Sequence, residues 1–282
     1  MHPALPDRVH SLRNGRFRGL LLVLLMGPGL LVGCQSEPPD ALMLGAGDTV
    51  FTASAEERGA ALTVLDSLQQ TAIRASFDRL AGYAFTQHLR IERRAPDGSV
   101  TGFREQVRRF PPPDSAQRPL SLRVDSSGAF DGDWLGNLLP ASGDTLINRA
   151  QYVLPDEAAY LAPRTREAFR YRLRPDTSLG GRTVRVVDVH AQPGDPGADR
   201  AIRHARLFVE PGTYELVGLY LVRADASLLF REDSRAAVYL QPAPDGSWVP
   251  AMTRLEARLK IPFRGPQHIA LDVTFDAFRP FS

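Results

Sequence analysis

The spacing of apolar residues changes from a helical period to a strand period near residue 82. Before that point, Leu62, Leu65, Leu68 and Phe77 fall near one side of a helix with 3.6 residues per turn. The pattern therefore predicts an α-helix over residues 55–80, with one side facing a core.

Both ends of this helix carry sequence signals. Ser54 precedes Glu57 by three residues, the spacing of a capping box, in which each side chain bonds to the other residue's backbone N–H. Gly82 is typical of a helix end, because glycine readily takes a left-handed conformation. The helix is therefore predicted to begin after Ser54 and to end before Gly82.

From residue 83 onward apolar and polar residues alternate, as in strands that bury one side. Tyr83, Phe85, Leu89 and Ile91 share one side, and the turn sequence at 96–99 predicts a hairpin to the next strand. Tight turns also join the later strands, so the sheet is predicted to be antiparallel. Strands are predicted at 83–91, 100–110, 169–174, 182–191, 202–209, 214–223, 227–240, 248–263 and 268–278.

One predicted strand is apolar on both sides. Residues 216–222 read Leu-Val-Gly-Leu-Tyr-Leu-Val, the pattern of a central strand that is covered on each face. The N-terminal helix can cover one face, and a second layer, a ligand or a locally thick core can cover the other. Helix and strands together predict an α+β domain.

The least regular pattern lies in residues 114–167. A short helix is predicted within 155–169. An apolar loop segment is flanked by glycines and a proline, and its large side chains are Trp134, Leu135, Leu138 and Leu139. A packed flap and a mobile lid or hook, which covers a cavity mouth or touches a bilayer, both fit this segment.

The N-terminal residues have the pattern of a processing signal. Four arginines precede an apolar run at 19–33 that Gly27, Pro28 and Gly29 interrupt. A transmembrane helix needs about 20 uninterrupted apolar residues. A signal peptide over residues 1–33 is therefore favoured.

The apolar run ends in Leu31-Val32-Gly33-Cys34, which resembles the bacterial lipoprotein signal. In that signal the cysteine is lipidated and becomes the new N-terminus. Cys34 is the only cysteine of the chain, and an unpaired thiol is otherwise a liability in an oxidising envelope. A diacylglycerol thioether with an added N-acyl chain such as palmitate anchors a protein stably. In such lipoproteins an Asp after the cysteine favours retention in the inner membrane. This chain has Gln35 at that position, which indicates that the protein is anchored to the outer membrane and faces the periplasm.

The mature chain is predicted to consist of a tether and one domain. Residues 34–53 are rich in proline, glycine and polar residues, which disfavour helices and paired strands. We therefore expect a lipid-anchored flexible tether over 34–53 and a single domain over 54–282.

Two short phrases carry a resemblance to a known family. Ala84-Phe85-Thr86-Gln87 lies on the first predicted strand, and a strand–turn–strand phrase occupies 206–217. With the lipoprotein signal and the N-terminal helix, they make residues 54–280 resemble the LolA/LolB-like superfamily, the outer-membrane lipoprotein-sorting-like proteins. In that family a strongly curved antiparallel half-barrel is closed by helices and encloses an apolar cavity for acyl chains.

The resemblance implies a half-barrel with the N-terminal and middle helices packed on it. It also implies a non-enzymatic carrier or receptor, which binds a lipid or a lipid-modified protein and reaches the membrane through its lipid anchor, as a monomer. The alternative is a structural or assembly lipoprotein that docks proteins on the curved sheet. Candidate cavity residues are large apolar side chains of the predicted strands: Phe85, Leu89, Leu219, Leu221, Phe230 and Tyr239.

Composition and motifs point away from other functions. The 34 Lys+Arg and 32 Asp+Glu give a net charge of +2, too weak to indicate a nucleic-acid partner. The sequence contains no Gly-x-Ser-x-Gly, no His-Glu-x-x-His and no phosphate-binding glycine loop with a lysine, so we expect no catalytic site, cofactor or metal centre. The mature chain's histidines are isolated in sequence: His88, His190, His204 and His268.

Arginines are concentrated on the first predicted hairpin. A cationic hairpin can contact anionic lipid head groups, and a solvated surface balanced by acids elsewhere is the alternative. The arginines of this hairpin are Arg90, Arg93, Arg94, Arg104, Arg108 and Arg109.

Overall fold

A computed structural model describes residues 51–69, 71–111, 118–128, 158–192, 202–226, 231–260 and 265–280. These residues form one antiparallel sheet with short helices, which confirms the predicted α+β class at this level. Within the same ranges, no helix is both long enough and apolar enough to cross a bilayer.

The N-terminal helical region consists of two α-helices. Helix α1 spans Ala55–Asp66 and helix α2 spans Ala72–Arg79. Between them, the backbone N–H of Gln69 donates to the carbonyl oxygen of Tyr214 at 2.8 Å, and the N–H of Leu216 donates to the Gln69 carbonyl oxygen at 3.4 Å. The prediction of one continuous helix is therefore wrong. The backbone N–H and C=O of Gln69 bond to the sheet, so they do not take part in the hydrogen bonds of a helix.

The predicted capping box is confirmed at the start of α1. The Ser54 hydroxyl accepts from the Glu57 N–H at 3.1 Å, and the Glu57 carboxylate accepts from the Ser54 N–H at 2.7 Å. Two 3-10 helices follow, at Leu80–Gly82 and Pro163–Ala168. The second lies where a short middle helix is predicted, and it is a single 3-10 segment within the described residues.

Ten strands are present in the part of the chain that the structure describes. They are β1 Tyr83–Arg94, β2 Val100–Phe110, β3 Leu120–Ser127, β4 Phe169–Leu179, β5 Arg182–Ala191, β6 Ile202–Val209, β7 Leu216–Ala226, β8 Arg231–Pro242, β9 Trp248–Lys260 and β10 Gln267–Pro280. Their order is β3-β2-β1-β10-β9-β8-β7-β6-β5-β4, so β3 and β4 are the edges of the described sheet. The sheet is curved and not closed, and β-bulges, which raise local twist, interrupt several pairs.

Strand β3 lies within residues 114–167, where the sequence predicts no strand, so that prediction is wrong for this part of the segment. Leu120, Leu122 and Val124 alternate with polar residues, so the strand pattern is present in this segment. All eight residues of β3 are exposed. A strand without a buried side is under weak selection for alternating apolar residues, so its pattern is short and easily missed.

Two turns also differ from the predictions. Strand β4 continues past Arg174, across a bulge before Thr177, and the chain reverses at Gly180 and Gly181, which both have positive φ. Tyr214 has φ 58°, a left-handed conformation, so β7 begins two residues after the predicted start of its strand. Residues 227–230, the predicted start of β8, lie outside the described residues.

The register sorts side chains into two faces, because direct cross-strand partners lie on the same side of a sheet. One row across the sheet from β1 to β7 consists of Leu89, Val273, Thr253, Val238 and Leu219. We call the side that holds this row the apolar face.

The helices pack on the apolar face. Helix α1 lies mainly against β4, and α2 lies mainly against β7 and β9. The ring of Phe77 in α2 meets Phe275 of β10 edge to face, with ring centroids 6.1 Å apart. Tyr171 of β4 donates its hydroxyl to the carbonyl oxygen of Tyr160 at 2.8 Å. A large part of the hydrophobic core therefore lies between this face and the segments packed on it, and the core continues to buried side chains on the other side of the sheet, such as Phe208 and Tyr239.

The opposite side, which we call the polar face, carries charged cross-strand rows. One row from β1 to β4 consists of Arg90, Asp272, Arg254, Ala237, Tyr220, Arg206, Asp188 and Arg172. Oppositely charged neighbours pair within it, as in Arg254 with Asp272 and Arg206 with Asp188. Such direct pairs stabilise the register of adjacent strands.

Strand β7 is buried on both faces, as its sequence predicts. Leu219 and Leu221 lie on the apolar face and are buried. On the polar face, a Cβ atom at Gly218 would come within 3.0 Å of Phe208 and 3.1 Å of Tyr239. Aromatic side chains of the neighbouring strands therefore cover the second side of β7.

Candidate functional site

The described candidate cavity residues divide between the two faces. Four are buried on the apolar face: Phe85, Leu89, Leu219 and Leu221. Tyr239 lies on the polar face, where it pairs with Gly218, and burial raises the pKa of its hydroxyl. The structure therefore brings the first four together on one face and places Tyr239 on the other side of the sheet, while all five belong to one continuous cluster of buried residues.

The apolar face is only partly covered along β9 and β10. Leu255 and Leu271 are direct partners, and Leu259 follows on the same side of β9. All three leucines are half-buried, whereas Ile91, next to Leu271 in the same row, is buried. This part of the face offers apolar surface beside the main core.

Strand β2 is where the apolar face becomes charged. On this side β2 carries Arg104, Gln106 and Arg108, which pair directly with residues of β1. The partners, in the same order, are Ile91, Leu89 and Gln87. Both arginines are half-buried, and within the described ranges neither guanidinium has a hydrogen bond or an ion pair. Burial lowers the pKa of Arg108, and the positive charge of Arg104 lowers it further.

The register separates the six arginines of this hairpin. Arg90 and Arg94 lie on the polar face, and each donates to the Glu92 carboxylate at 2.7 Å. Arg109 is exposed on the same face. The apolar face carries the other three: Arg93, Arg104 and Arg108. The interpretation of a surface balanced by acids therefore describes Arg90 and Arg94 but not Arg104 and Arg108.

A buried carboxylate on the polar face binds three guanidinium groups. Asp188 is 0% exposed, and Arg206 donates to it through Nε at 2.7 Å. Arg172 and Arg174 of the edge strand β4 donate at 3.0 and 3.2 Å. Burial acts to raise the pKa of Asp188, but the contacts with His204 and Arg206 outweigh it and hold the pKa well below its usual range. The cluster ties together β4, β5 and β6.

The rings of two histidines contact each other beside this carboxylate. His190 and His204 are direct partners on β5 and β6, and their ring centroids are 4.0 Å apart. Potential ligand atoms of Asp188, His190 and His204 lie within 4.8 Å of one another, which is close enough for a metal ion. However, guanidinium groups already bind the Asp188 oxygens, so a divalent cation would meet fixed positive charge.

A cavity of about 380 Å³ opens beside the edge strand β4. Its walls include the rings of Phe51, Phe169 and Tyr171 and the side chains of Arg58 and Arg170. Burial raises the pKa of Tyr171 to about 12, so its hydroxyl stays protonated as a hydrogen-bond donor at neutral pH. The volume lies at the lower end of the range of ligand pockets, about 300–1,000 Å³.

The edge strand β3 exposes apolar side chains. Leu120, Leu122 and Val124 are 58%, 45% and 55% exposed. In the described sheet, β3 pairs with β2 on one side only. An unpaired strand edge can accept an added strand from another chain.

The remaining predicted site residues lie outside the described residues. They are Cys34 of the lipoprotein signal, Phe230, and the loop residues Trp134, Leu135, Leu138 and Leu139. The signal peptide and most of the tether lie outside them as well.

No known protein family matches this sequence, and no curated protein does. Three solved structures are similar over most of their length. The first, described as an outer membrane lipoprotein-sorting protein domain from Vibrio parahaemolyticus, is 11% identical and has a TM-score of 0.27, covering 80% of this chain and 94% of that one. A DUF1329 family protein from Desulfovibrio piger is 9% identical, with a TM-score of 0.26, and covers 79% of this chain and 93% of that one. MucB is 13% identical, with a TM-score of 0.27, and covers 82% of this chain and 100% of that one.

At these TM-scores and identities the similarities assign no function. The chain is similar to one solved structure that is described as an outer membrane lipoprotein-sorting protein domain.

Proposed function

We propose that this protein is a lipid-binding lipoprotein of the cell envelope, which holds an acyl chain of a lipid or of a lipid-modified protein against its apolar face. The observation that carries the proposal is the half-buried leucine surface of Leu255, Leu259 and Leu271 beside the core. Covering such a surface with an acyl chain is worth about 0.8 kcal/mol per buried methylene. The protein would act by binding and release, as a carrier or receptor without catalysis.

The sequence supports a location for this activity. Cys34 would carry the lipid anchor after removal of residues 1–33, and residues 34–53 would tether the domain to the outer membrane on its periplasmic side. Closure of the curved sheet by helices into a half-barrel would enclose the bound chain. The loop residues Trp134, Leu135, Leu138 and Leu139 would then cover the mouth of the cavity.

Photo-crosslinking of the full chain in a nonionic detergent tests the proposal. The probe is lysophosphatidylcholine with a diazirine in its acyl chain. We expect saturable crosslinks on peptides of β9 and β10, and we expect Leu255→Gln with Leu271→Gln to reduce them strongly. Thr274→Gln is the matched control, because Thr274 is exposed on the polar face of the same strand.

Thermal unfolding separates lost binding from lost folding in these variants. The proposal requires that the double variant stays folded at the crosslinking temperature and still loses the crosslinks. Crosslinking that does not saturate, or that is equal in the double variant and the control, would remove the proposal.

A second candidate function is docking of a protein on the sheet, as a structural or assembly lipoprotein. The exposed apolar side chains of the edge strand β3 favour it. A photo-reactive amino acid at Leu122 would then crosslink to a protein in intact cells, whereas one at Asp97, in the exposed turn of the β1–β2 hairpin, would not.

A further inference from the structure

We infer that the ligand is an anionic amphiphile, whose phosphate or carboxylate group is held by Arg104 and Arg108 while its acyl chain lies on the apolar face. This inference rests on the proposed lipid binding and narrows its ligand class. A neutral lipid would satisfy the leucine surface but not the two arginines.

In the part of the chain that the structure describes, Arg104 and Arg108 have no acidic partner, although both are partly buried. They are half-buried on the side of the sheet that is mostly apolar from β10 to β4, and within the described ranges their guanidinium groups have no acidic partner. Desolvating a charge without a partner is costly, so such groups are normally paired. The guanidinium fork binds phosphate and carboxylate through two parallel hydrogen bonds.

The same hairpin shows how its other arginines are neutralised. On the polar face, Arg90 donates to Glu92 at 2.7 Å and to Glu105 at 3.1 Å. The acids of this hairpin therefore lie on the face opposite to Arg104 and Arg108. Among the described residues of this hairpin, no acid on the apolar face balances the two arginines, and in our inference the ligand supplies that negative charge.

The polar positions between the two arginines are compatible with a head group. Gln106 is buried between them, and its amide nitrogen lies 3.5 Å from the Ser121 hydroxyl of β3. Arg104 and Arg108 are four residues apart on one strand, about 13 Å between Cα atoms. Both side chains are long enough to reach toward a group that lies between them over Gln106.

The register also connects the head-group position to the leucine surface. Arg104, Ile91, Leu271 and Leu255 form one cross-strand row over β2, β1, β10 and β9. Adjacent strands are about 4.8 Å apart, so the row spans about 14 Å. A head group on Arg104 would therefore lie within about 14 Å of the half-buried Leu271 and Leu255, a distance that an acyl chain can span alongside the buried Ile91.

The experiment compares two single-chain amphiphiles that share one diazirine-bearing acyl chain, of which only one carries a phosphate. The probes are lysophosphatidylglycerol as the anionic probe and a monoacylglycerol as the neutral probe, added to the full chain in the same nonionic detergent. We expect about tenfold stronger crosslinking of the anionic probe at equal concentration, as two charge-assisted hydrogen-bonding groups contribute. Arg104→Gln with Arg108→Gln should abolish this preference and keep the crosslinks of the neutral probe.

Arg109→Gln is the matched control, since Arg109 lies on the same strand but is exposed on the polar face. It should keep the preference for the anionic probe. Glycerol 3-phosphate is added as a competitor, and it should not displace the lysolipid, because it has the phosphate without the chain.

The outcomes separate this inference from the proposed function. Equal crosslinking of both probes by the unaltered protein overturns the anionic head group and leaves lipid binding intact. If glycerol 3-phosphate displaces the lysophosphatidylglycerol at equal concentration, the inference that the ligand is an amphiphile is wrong, since the site would then bind a phosphate group without an acyl chain. No saturable crosslinking of either probe overturns lipid binding and the inference together.

Discussion

Arg206 and Asp188 lie directly opposite each other on β6 and β5, and the guanidinium Nε donates to the carboxylate at 2.7 Å in a fully buried setting. The same carboxylate also binds Arg172 and Arg174 of β4. Because β4 is an edge of the described sheet, the Asp188 carboxylate connects this edge strand to the buried strands β5 and β6. A buried charge with its partners in place is tolerated, and one that loses a partner is strongly destabilising.

We therefore predict that Arg206→Met lowers the free energy of unfolding by about 3–5 kcal/mol. Urea unfolding followed by far-UV circular dichroism measures the change. Arg174→Gln is the control, because the Arg174 side chain is 34% exposed and its contribution should stay below about 1 kcal/mol. Combining Arg206→Met with Asp188→Asn should recover part of the loss, because a neutral amide then replaces the buried carboxylate, whose charge Arg172 and Arg174 alone compensate less well. Equal effects of the two single arginine variants would contradict this account.

A second prediction concerns the pH dependence of the Tyr83–Asp245 contact. The Tyr83 hydroxyl donates to Asp245 at 2.6 Å, and together with Ser247 it lowers the pKa of Asp245 to about 2. Tyr83→Phe should raise this pKa toward the ordinary value for Asp, about 3.9. A lowered folded-state pKa stabilises the fold above the ordinary pKa, and the benefit disappears as the pH falls through about 2. The stability difference between the two proteins should therefore be constant near neutral pH and shrink below about pH 4.

Carboxyl carbon NMR titration measures the pKa directly. Asp97 provides an internal control, because hydrogen bonds from Ser99 lower its pKa in a similar turn without a tyrosine. Its titration should not change in Tyr83→Phe. An Asp245 pKa that stays at about 2 in the variant would show that Ser247 alone is responsible.

Much of the sheet is predictable from local sequence. Strands β1 and β10 alternate apolar and polar residues over 88–92 and 271–276, and this alternation indicates a single buried side. The capping box of Ser54 and Glu57 is equally local, because both of its hydrogen bonds join residues three positions apart. The burial of both sides of β7 also follows from its unbroken apolar run.

Features that depend on distant residues could not be predicted in the same way. The break between α1 and α2 arises at Gln69, whose backbone pairs with Tyr214 and Leu216 of a later turn and strand. The contact between the rings of His190 and His204 depends on the register in which β5 and β6 pair. His190 lies near the end of one predicted strand and His204 near the start of the next. Antiparallel pairing of these two strands could therefore have indicated that the two histidines are close together. The division of the arginines between two faces likewise requires the register of β1 and β2.

A third prediction tests the packing of α2 on the apolar face. Phe77 is buried and its ring meets Phe275 edge to face at 6.1 Å. Phe77→Ala should lower the free energy of unfolding by about 3–5 kcal/mol, because it leaves a cavity between the helix and the sheet. Asp78→Ala, at the adjacent exposed position of α2, should change it by less than about 0.5 kcal/mol. A small effect at Phe77 would mean that α2 does not pack on the sheet in this way.

The last prediction concerns the membrane anchor. Cys34 ends an apolar run in the pattern of a lipoprotein signal, so Cys34→Ser should remove both lipidation and cleavage at that position. Metabolic labelling with an alkyne analogue of palmitate, followed by N-terminal mass spectrometry, should show labelled, processed protein for the unaltered chain and unlabelled precursor for the variant. Gln35→Asp is the informative companion, because it keeps Cys34 and changes only the residue that is predicted to direct the protein to the outer membrane. It should retain the label and move the protein from the outer-membrane to the inner-membrane fraction. Labelling of Cys34→Ser at the level of the unaltered protein would remove the anchor from this account, whereas an unmoved but labelled Gln35→Asp protein would remove only the outer-membrane assignment.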